Sequence, residues 1–203
     1  MLLAFDTSSA ACTAALFDGA GECVARRDEL IGRGHAERLV PMIAELLGDR
    51  TATAILVGVG PGSFTGIRVA IAAAHGLAIG WGAELKGMSS LALLAAGAGV
   101  RGEVAAAVIG GHGELFVQQF DAATAQPTSE LRNLAPAQAA RLVTAEAVAG
   151  SGAQLLVEAR GWGEAREAWP SAANTQRLPE KLRNLAPKPI YARAPDARAR
   201  EAA

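Results

Sequence analysis

The segment 69–81 constrains the fold of this chain most strongly, because it has no polar face. Its residues are apolar or small around the whole circumference of the helix that they would form, with His75 as an isolated exception. Such a helix must be covered on all sides. Ala72, Gly76 and Gly80 recur at intervals of four residues and would let another helix approach closely. We expect one side to pack on a sheet, and the other to be covered either by the rest of the monomer or by a second protein.

The same region is too short to span a membrane. The uncharged run 69–83 has 15 residues, contains His75 and follows Arg68. A spanning helix needs about 20 apolar residues. The sequence therefore predicts an internal or interface helix and no membrane association.

Short apolar runs alternate with helical patterns through the first hundred residues. Ser63 or Thr65 and Ser89 or Ser90 are the predicted helix N-caps. The order β-β-β-α-β-α-β-α favours a mixed sheet with helices packed on it. Strands are predicted at 2–5, 12–17, 22–28, 54–59 and 84–87, and helices at 35–47, from the turn 58–66 to about Trp81, and at 89–98.

The second half has weaker patterns. A strand pair is predicted at 104–109 and 114–120, a helix that begins with proline at 136–148, and a strand at 154–157. Beyond Pro170 the pattern fades into coil. No repeat of fixed period is visible, although two halves that both begin with a strand pair would suit a duplicated fold.

Composition narrows the class of protein. The chain is 51% apolar and 19% charged, which is typical of a globular protein. A net charge of −1 gives no general attraction to nucleic acid. Two cysteines and no basic N-terminal leader indicate the cytoplasm. The basic C-terminal stretch is interpreted as a solvated tail rather than an RNA contact; it contains Lys181, Arg183, Lys188, Arg193, Arg198 and Arg200.

Two turns are candidates for holding a phosphate. Asp6, Thr7 and Ser8 follow a buried strand, where backbone N–H groups and hydroxyls can bind an anion and an Asp can position Mg²⁺. The glycine-rich turn 58–66 precedes a helix N-terminus, with Arg68 as a counter-charge, but it lacks the lysine of a Walker loop. In both turns, local capping or packing of the loop on the sheet remains an alternative to phosphate binding.

Residues for independent catalysis are scarce. The three histidines lack metal-ligand spacing, no serine lies in a Gly-x-Ser-x-Gly elbow, and neither cysteine has a base nearby in sequence. The pattern favours a binding protein. The alternative is a nucleotide- or metal-dependent enzyme, a phosphotransferase or carbamoyl transferase, that acts on its own.

The run Gly-Pro-Gly-Ser-Phe-Thr-Gly-Ile-Arg at 60–68 resembles the bacterial TsaB family, also called YeaZ. Segments 5–8, 34–43, 87–91 and 191–197 support the resemblance. It implies an α/β fold of the actin-like ATPase (ASKHA, RNase H-like) type, with two similar lobes of mixed sheets flanked by helices. It places the partner-binding helices in an N-terminal lobe, 1–100, and assigns 101–203 to a smaller C-terminal lobe with a basic tail.

The resemblance also implies a function. TsaB-like proteins are non-catalytic scaffold or dimerisation subunits for making N6-threonylcarbamoyladenosine at position 37 of tRNA. They pair with a TsaD-like catalytic subunit, help recruit a TsaE-like ATPase, form homodimers when alone, and contact tRNA only through the complex. The implied interface comprises His35, Leu39, Met42, Ile43, Arg68, Val69, Ala72, Ala73, Gly76, Leu77 and Gly80.

No cofactor is required on this reading, although ATP or ADP could bind at the partner interface. The candidate residues for a vestigial nucleotide site are Asp6, Thr7, Ser8, Gly60, Gly62 and Ser63.

Two differences from related sequences bear on chemistry. TsaD-like sequences carry a metal-binding His-x-x-x-His where this chain has Ser90 and Leu94, so no metal is expected here. Many TsaB-like sequences read Asp-Ala-Arg-x-Gly-Glu where residues 109–114 read Ile-Gly-Gly-His-Gly-Glu. The Asp and the Arg are replaced by Ile109 and Gly111, which puts their contribution at the lobe interface in doubt.

Overall fold

Two five-stranded sheets form the framework of the chain, of which a computed structural model describes residues 1–191. In the first sheet the strand order is β3-β2-β1-β4-β5, and in the second it is β10-β9-β6-β7-β8. The strands of the first sheet are β1 (Leu2–Asp6), β2 (Ala11–Phe17), β3 (Cys23–Leu30), β4 (Ala54–Gly58) and β5 (Glu84–Met88). Those of the second are β6 (Glu103–Ile109), β7 (Leu115–Asp121), β8 (Arg132–Leu134), β9 (Ala147–Ala149) and β10 (Glu164–Arg166).

The two sheets share one topology. In each of them the first three strands are antiparallel neighbours in sequence, and the fourth strand is parallel to the first. The fifth strand is parallel to the fourth in both sheets. This repeated arrangement confirms the predicted α/β fold of two similar lobes with mixed sheets.

Helices occupy equivalent connections in the two lobes. α1 and α2 follow the third and fourth strands of the first sheet, as α4 and α5 do in the second. The predicted caps are confirmed, because Ser63 Oγ accepts from Gly66 N–H at 3.2 Å and Ser89 Oγ accepts from Ala92 N–H at 3.3 Å. The helices are α1 (His35–Leu47), α2 (Phe64–Trp81), α3 (Ser90–Gly97), α4 (Pro136–Leu142), α5 (Ala153–Arg160) and α6 (Glu180–Arg183).

Helix α3 lies between the lobes. All of its residues from Ser90 to Ala96 are buried. The apolar cluster around it joins Ala4 and Leu56 of the first sheet to Val104 and Ala106 of the second. Two further clusters lie on the outer sides of the sheets, one beneath α1 and α2 and one beneath α4 and α5. The lobes therefore share a continuous core.

Residues after the second sheet return to the first lobe. Leu185 pairs with Gly87 of β5, and Ile190 N–H donates to Val59 O at 2.9 Å. The assignment of the whole of 101–203 to a second lobe is therefore wrong for this stretch. Apart from Tyr191, the C-terminal motif 191–197 lies outside the described residues. The same is true of Arg193, Arg198 and Arg200 of the basic tail.

Three predictions for the second half are wrong. The helix predicted at 136–148 ends at Leu142, because the chain then enters β9. Residues 154–157 belong to helix α5 rather than to a strand: Ala153 and Leu156 are buried while Leu155 is 38% exposed, which is helical spacing. Short helices follow Pro170 where coil was predicted.

A candidate docking face and the polar turn beside it

Helix α2 is packed on one side and open on the other. Ile67, Ala70 and Ala74 are buried against the first lobe. The other side is exposed within the described part of the chain, and Phe64 and Ile79 are 64% and 83% exposed. We call this surface of α2 the docking face; its exposed residues are Phe64, Thr65, Arg68, Ala72, His75, Gly76, Ile79 and Gly80.

Part of the predicted interface on α2 lies at the margin of the docking face. Val69, Ala73 and Leu77 are only partly buried and contact the core cluster beneath the helix. The sequence analysis did not single out Phe64 and Ile79. Their helical position, on the same side as Arg68 and Ala72, is the signal that would have identified them.

Three of the predicted interface residues on α1 belong to the interior. Leu39, Met42 and Ile43 are no more than 2% exposed, because the apolar side of this amphipathic helix packs on the first sheet. The prediction that these three residues face a partner is therefore wrong, because they face the sheet. Periodicity identifies the apolar side of a helix but not what covers it. Val40, which is 50% exposed, lies on the outer side of α1. His35 is half-buried, and its Nε2 atom has no hydrogen-bond partner in the described structure.

The small residues of α2 leave room for a close approach. Ala72, Gly76 and Gly80 are exposed. A Cβ atom added at Gly76 or Gly80 would have no neighbour within 4 Å. Another helix could therefore approach the backbone of α2 closely along this line.

By length and composition alone, α2 resembles a membrane span. It has 18 residues with a mean hydropathy of 1.3. It is therefore longer than the uncharged run of 15 residues on which the sequence analysis relied. The mostly buried core helix of a soluble protein passes the same test, so one such helix is weak evidence of a membrane span. Here the buried side of α2 packs against α1 and the first sheet.

The carboxylate of Asp6 is fully buried at the end of β1. Asp6 Oδ1 accepts from Ser8 N–H and Ser8 Oγ–H, both at 2.7 Å, and Asp6 Oδ2 accepts from Ser90 Oγ–H at 2.5 Å. Burial raises the pKa of Asp6, and the hydrogen bonds from Ser90 and Ser8 act in the opposite direction. The carboxylate thus joins β1 to the start of α3.

The glycine-rich turn packs directly on the turn that contains Asp6. Ser63 N–H donates to Ser8 O at 2.6 Å, and Thr7 Oγ1 donates to Gly66 O at 2.7 Å. A Cβ atom on Gly62 or Gly66 would overlap the backbone of this neighbouring turn. The glycines are therefore needed for close packing, and the contacts set the position at which α2 begins.

The six candidate nucleotide residues are thus brought together. Gly60 N–H also joins the network by donating to Ser90 Oγ at 3.0 Å. In this arrangement their polar groups bond to one another and to Ser90 and Gly66. ATP or ADP binding stays a prediction.

The positions aligned with the metal-binding histidines have other partners. Ser90 Oγ bonds to Asp6 and Gly60, and Leu94 is 1% exposed within the core between the lobes. Within residues 1–191, no three His, Cys, Asp or Glu side chains come close enough together to hold a metal ion. Ile109 and Gly111 stand where many related sequences have Asp and Arg. Ile109 ends β6 and is 46% exposed, and Gly111 lies in the connection from β6 to β7.

The sequence is similar to proteins whose names refer to one process, the threonylcarbamoylation of adenosine in tRNA. Residues 28–151 match the family model described as "TsaD: tRNA N6-adenosine threonylcarbamoyltransferase". The "tRNA threonylcarbamoyladenosine biosynthesis protein TsaB" of Escherichia coli is 40% identical over 103 residues, which are 48% of this chain and 43% of that protein. The aligned segments thus span less than half the length of the curated relatives.

Solved structures match over a greater length. A Pseudomonas aeruginosa protein described as similar to peptidase YEAZ has a TM-score of 0.80 and 29% identity, covering 95% of this chain and 99% of its own. YeaZ from Pseudomonas aeruginosa has a TM-score of 0.76 and 26% identity, covering 94% and 98%.

Proposed function

This chain belongs to the TsaB/YeaZ branch of the TsaD-type family, and on that premise we propose that it is a docking subunit for the synthesis of N6-threonylcarbamoyladenosine in tRNA. It pairs with a TsaD-type catalytic subunit and has no catalytic activity of its own. The single observation that carries the proposal is the exposed apolar face of α2. An exposed apolar helix face of this kind is typical of a protein–protein interface.

The composition of the docking face supports a tight helix–helix contact. Its centre consists of small residues, Ala72 and Gly76, while Phe64 and Ile79 supply large apolar side chains at either end. Large apolar anchors around a close backbone approach are a common way to stabilise packed helices. In the absence of the catalytic partner, a second copy of the chain covers the same face and produces a homodimer.

The polar turn supports a role as a binding subunit rather than as an enzyme. The buried Asp6 carboxylate is occupied by Ser8 and Ser90, and Ser90 bonds in turn to Gly60. These residues fix the glycine-rich turn and hence the start of α2. We further propose that the complex works in the cytoplasm, recruits a TsaE-like ATPase, holds any ATP or ADP at the partner interface and contacts tRNA through the other subunits.

The test is a charge placed on the docking face. Ala72→Glu or Gly76→Glu should abolish both the homodimer and the complex with the TsaD-type protein of the same genome, because association would bury the added carboxylate on a largely apolar surface at a cost of several kcal/mol. Neither change creates a clash within the lobe, since residue 72 is exposed and a Cβ at residue 76 meets nothing within 4 Å. Molar mass measured by light scattering after size-exclusion chromatography gives the readout.

Ala137→Glu is the matched control. It adds the same charge at an exposed alanine of α4, the second-lobe counterpart of α1, and should leave both associations intact. Undiminished association of the Ala72 and Gly76 variants would contradict the proposal. ATP turnover by the isolated chain that disappears in Asp6→Ala would instead favour an independent enzyme.

A further inference from the structure

The docking face carries one formal cation and no acid. Helix α2 has no Asp or Glu in its sequence, and Arg68 is its only Lys or Arg. Within residues 1–191, Arg68 forms no ion pair. Among the described residues, the permanent positive charge of Arg68 therefore has no partner of opposite charge, and it lies on a largely apolar surface.

Neighbouring side chains hold Arg68 in place. Its guanidinium carbon lies 3.3 Å from the centre of the Phe64 ring, and its Nη2 donates to the Tyr191 hydroxyl at 2.8 Å. The Tyr191 ring centre is 5.6 Å from the same carbon. Stacking and one hydrogen bond to a neutral hydroxyl orient the planar group, but neither supplies a negative charge, and further N–H donors stay available.

Covering this face would remove Arg68 from water. A desolvated guanidinium costs free energy unless a carboxylate pairs with it, and such pairs have a defined bidentate geometry. The charge should therefore discriminate between partners, because a partner that lacks an acid at this position pays the full cost of desolvation.

We propose that Arg68 selects the partner of the docking face, which fits a chain that brings one Asp or Glu carboxylate to Arg68 from an otherwise apolar helical surface. This inference rests on the proposed function and adds the chemistry that the partner must present. A second copy fits less well, because α2 packed on α2 offers no acid.

Acidic residues on and beside α1 are the candidates by which a second copy could supply a carboxylate to Arg68. On α1, Glu45 is bonded to Arg38 at 2.7 Å, and Glu29 of β3 is bonded to the same arginine at 2.6 Å. Glu37, in the first turn of α1, is the exposed acid to be tested as an alternative counter-charge.

The experiment measures two dissociation constants for the full-length chain, one for self-association and one for binding the TsaD-type protein of the same genome. Arg68→Met keeps an apolar stem but removes the guanidinium that stacks on Phe64, and with it the charge. We expect hetero-association to weaken roughly 30-fold or more, as is usual when one member of a buried charge pair is truncated, while self-association stays within about twofold or tightens. Arg68→Lys, which keeps the charge without the planar fork, should recover part of the loss.

Three results would overturn the inference. The first is unchanged hetero-association of Arg68→Met, and the second is equal weakening of both associations. The third is a loss of self-association in Glu37→Gln that matches a loss in Arg68→Met, because a second copy would then supply the carboxylate. Gly76→Glu, two helical turns from Arg68, separates the two proposals in the same assay. If Gly76→Glu disrupts hetero-association while Arg68→Met does not, only the role of Arg68 fails. If Gly76→Glu does not disrupt hetero-association, the docking face itself is wrong.

Discussion

At the scale of single residues, Asp6 joins the turn after β1 to the start of α3, and this turn packs on the glycine-rich turn from which α2 begins. Sequence reasoning identified Asp6, Thr7 and Ser8 as one turn and 58–66 as another, and left phosphate binding and local packing open for both. The structure shows close packing between the two turns. A sequence could not predict this contact, because the hydrogen bond from Thr7 Oγ1 to Gly66 O joins residues 59 positions apart.

Replacement of Asp6 by Asn tests the buried carboxylate. Burial raises the pKa of Asp6 above its ordinary value of 3.8, so the native protein binds a proton at this carboxyl more tightly than the unfolded chain does. The stability of the unaltered protein should therefore fall, relative to that of Asp6→Asn, as the pH rises from 3.8 through the raised pKa. Urea unfolding at a series of pH values measures this difference.

The control for this measurement is Asp49→Asn, which removes a carboxylate from an exposed turn. A stability difference between the unaltered protein and Asp6→Asn that grows in favour of the unaltered protein with rising pH would contradict the assignment. Such a result would mean that the hydrogen bonds to the carboxylate outweigh its burial.

At the scale of elements, the helices of the first lobe could be predicted well and their orientation could not. Periodicity predicted the bounds of α1 at 35–47, and serine caps located the starts of α2 and α3. The apolar stripe of α1 nevertheless faces the sheet, whereas the predicted interface used that stripe. Which side of an apolar element faces solvent depends on what packs against it, and that information is not local.

Replacement of Gly76 by Ala separates helix stability from docking. Glycine in a helix interior costs up to about 1 kcal/mol relative to alanine, and the new methyl group would meet nothing within 4 Å in the monomer. We expect Gly76→Ala to raise the free energy of unfolding of the isolated, dilute monomer. We expect the same change to weaken association, because a methyl group separates the two helix backbones.

Chemical denaturation and sedimentation equilibrium report these two quantities separately. Association of Gly76→Ala as tight as that of the unaltered chain would show that no partner approaches the backbone at this position. The docking face would then have to make contact through its large side chains instead.

At the scale of the whole molecule, the chain consists of two copies of one topology with unequal helices. The helices α4 and α5 have 7 and 8 residues, whereas their first-lobe counterparts α1 and α2 have 13 and 18. The duplication was only suggested by the sequence, because β8, β9 and β10 have three residues each and leave almost no alternating pattern. Side chains after β10 bond to carbonyl groups of α3, where Arg177 donates to Ala96 O and Asn174 to Leu93 O.

We propose docking on the first lobe, and the equivalent helices of the second lobe supply an internal reference for the most direct test. Hydrogen–deuterium exchange, followed by mass spectrometry, would compare the chain alone and bound to the TsaD-type protein of the same genome. Upon binding, we expect slower exchange in the peptides that cover 64–81 and unchanged exchange in those that cover the equivalent helices, 136–142 and 153–160. Protection confined to the second lobe, or no protection of α2, would contradict the claim that the exposed face of α2 is where the partner binds.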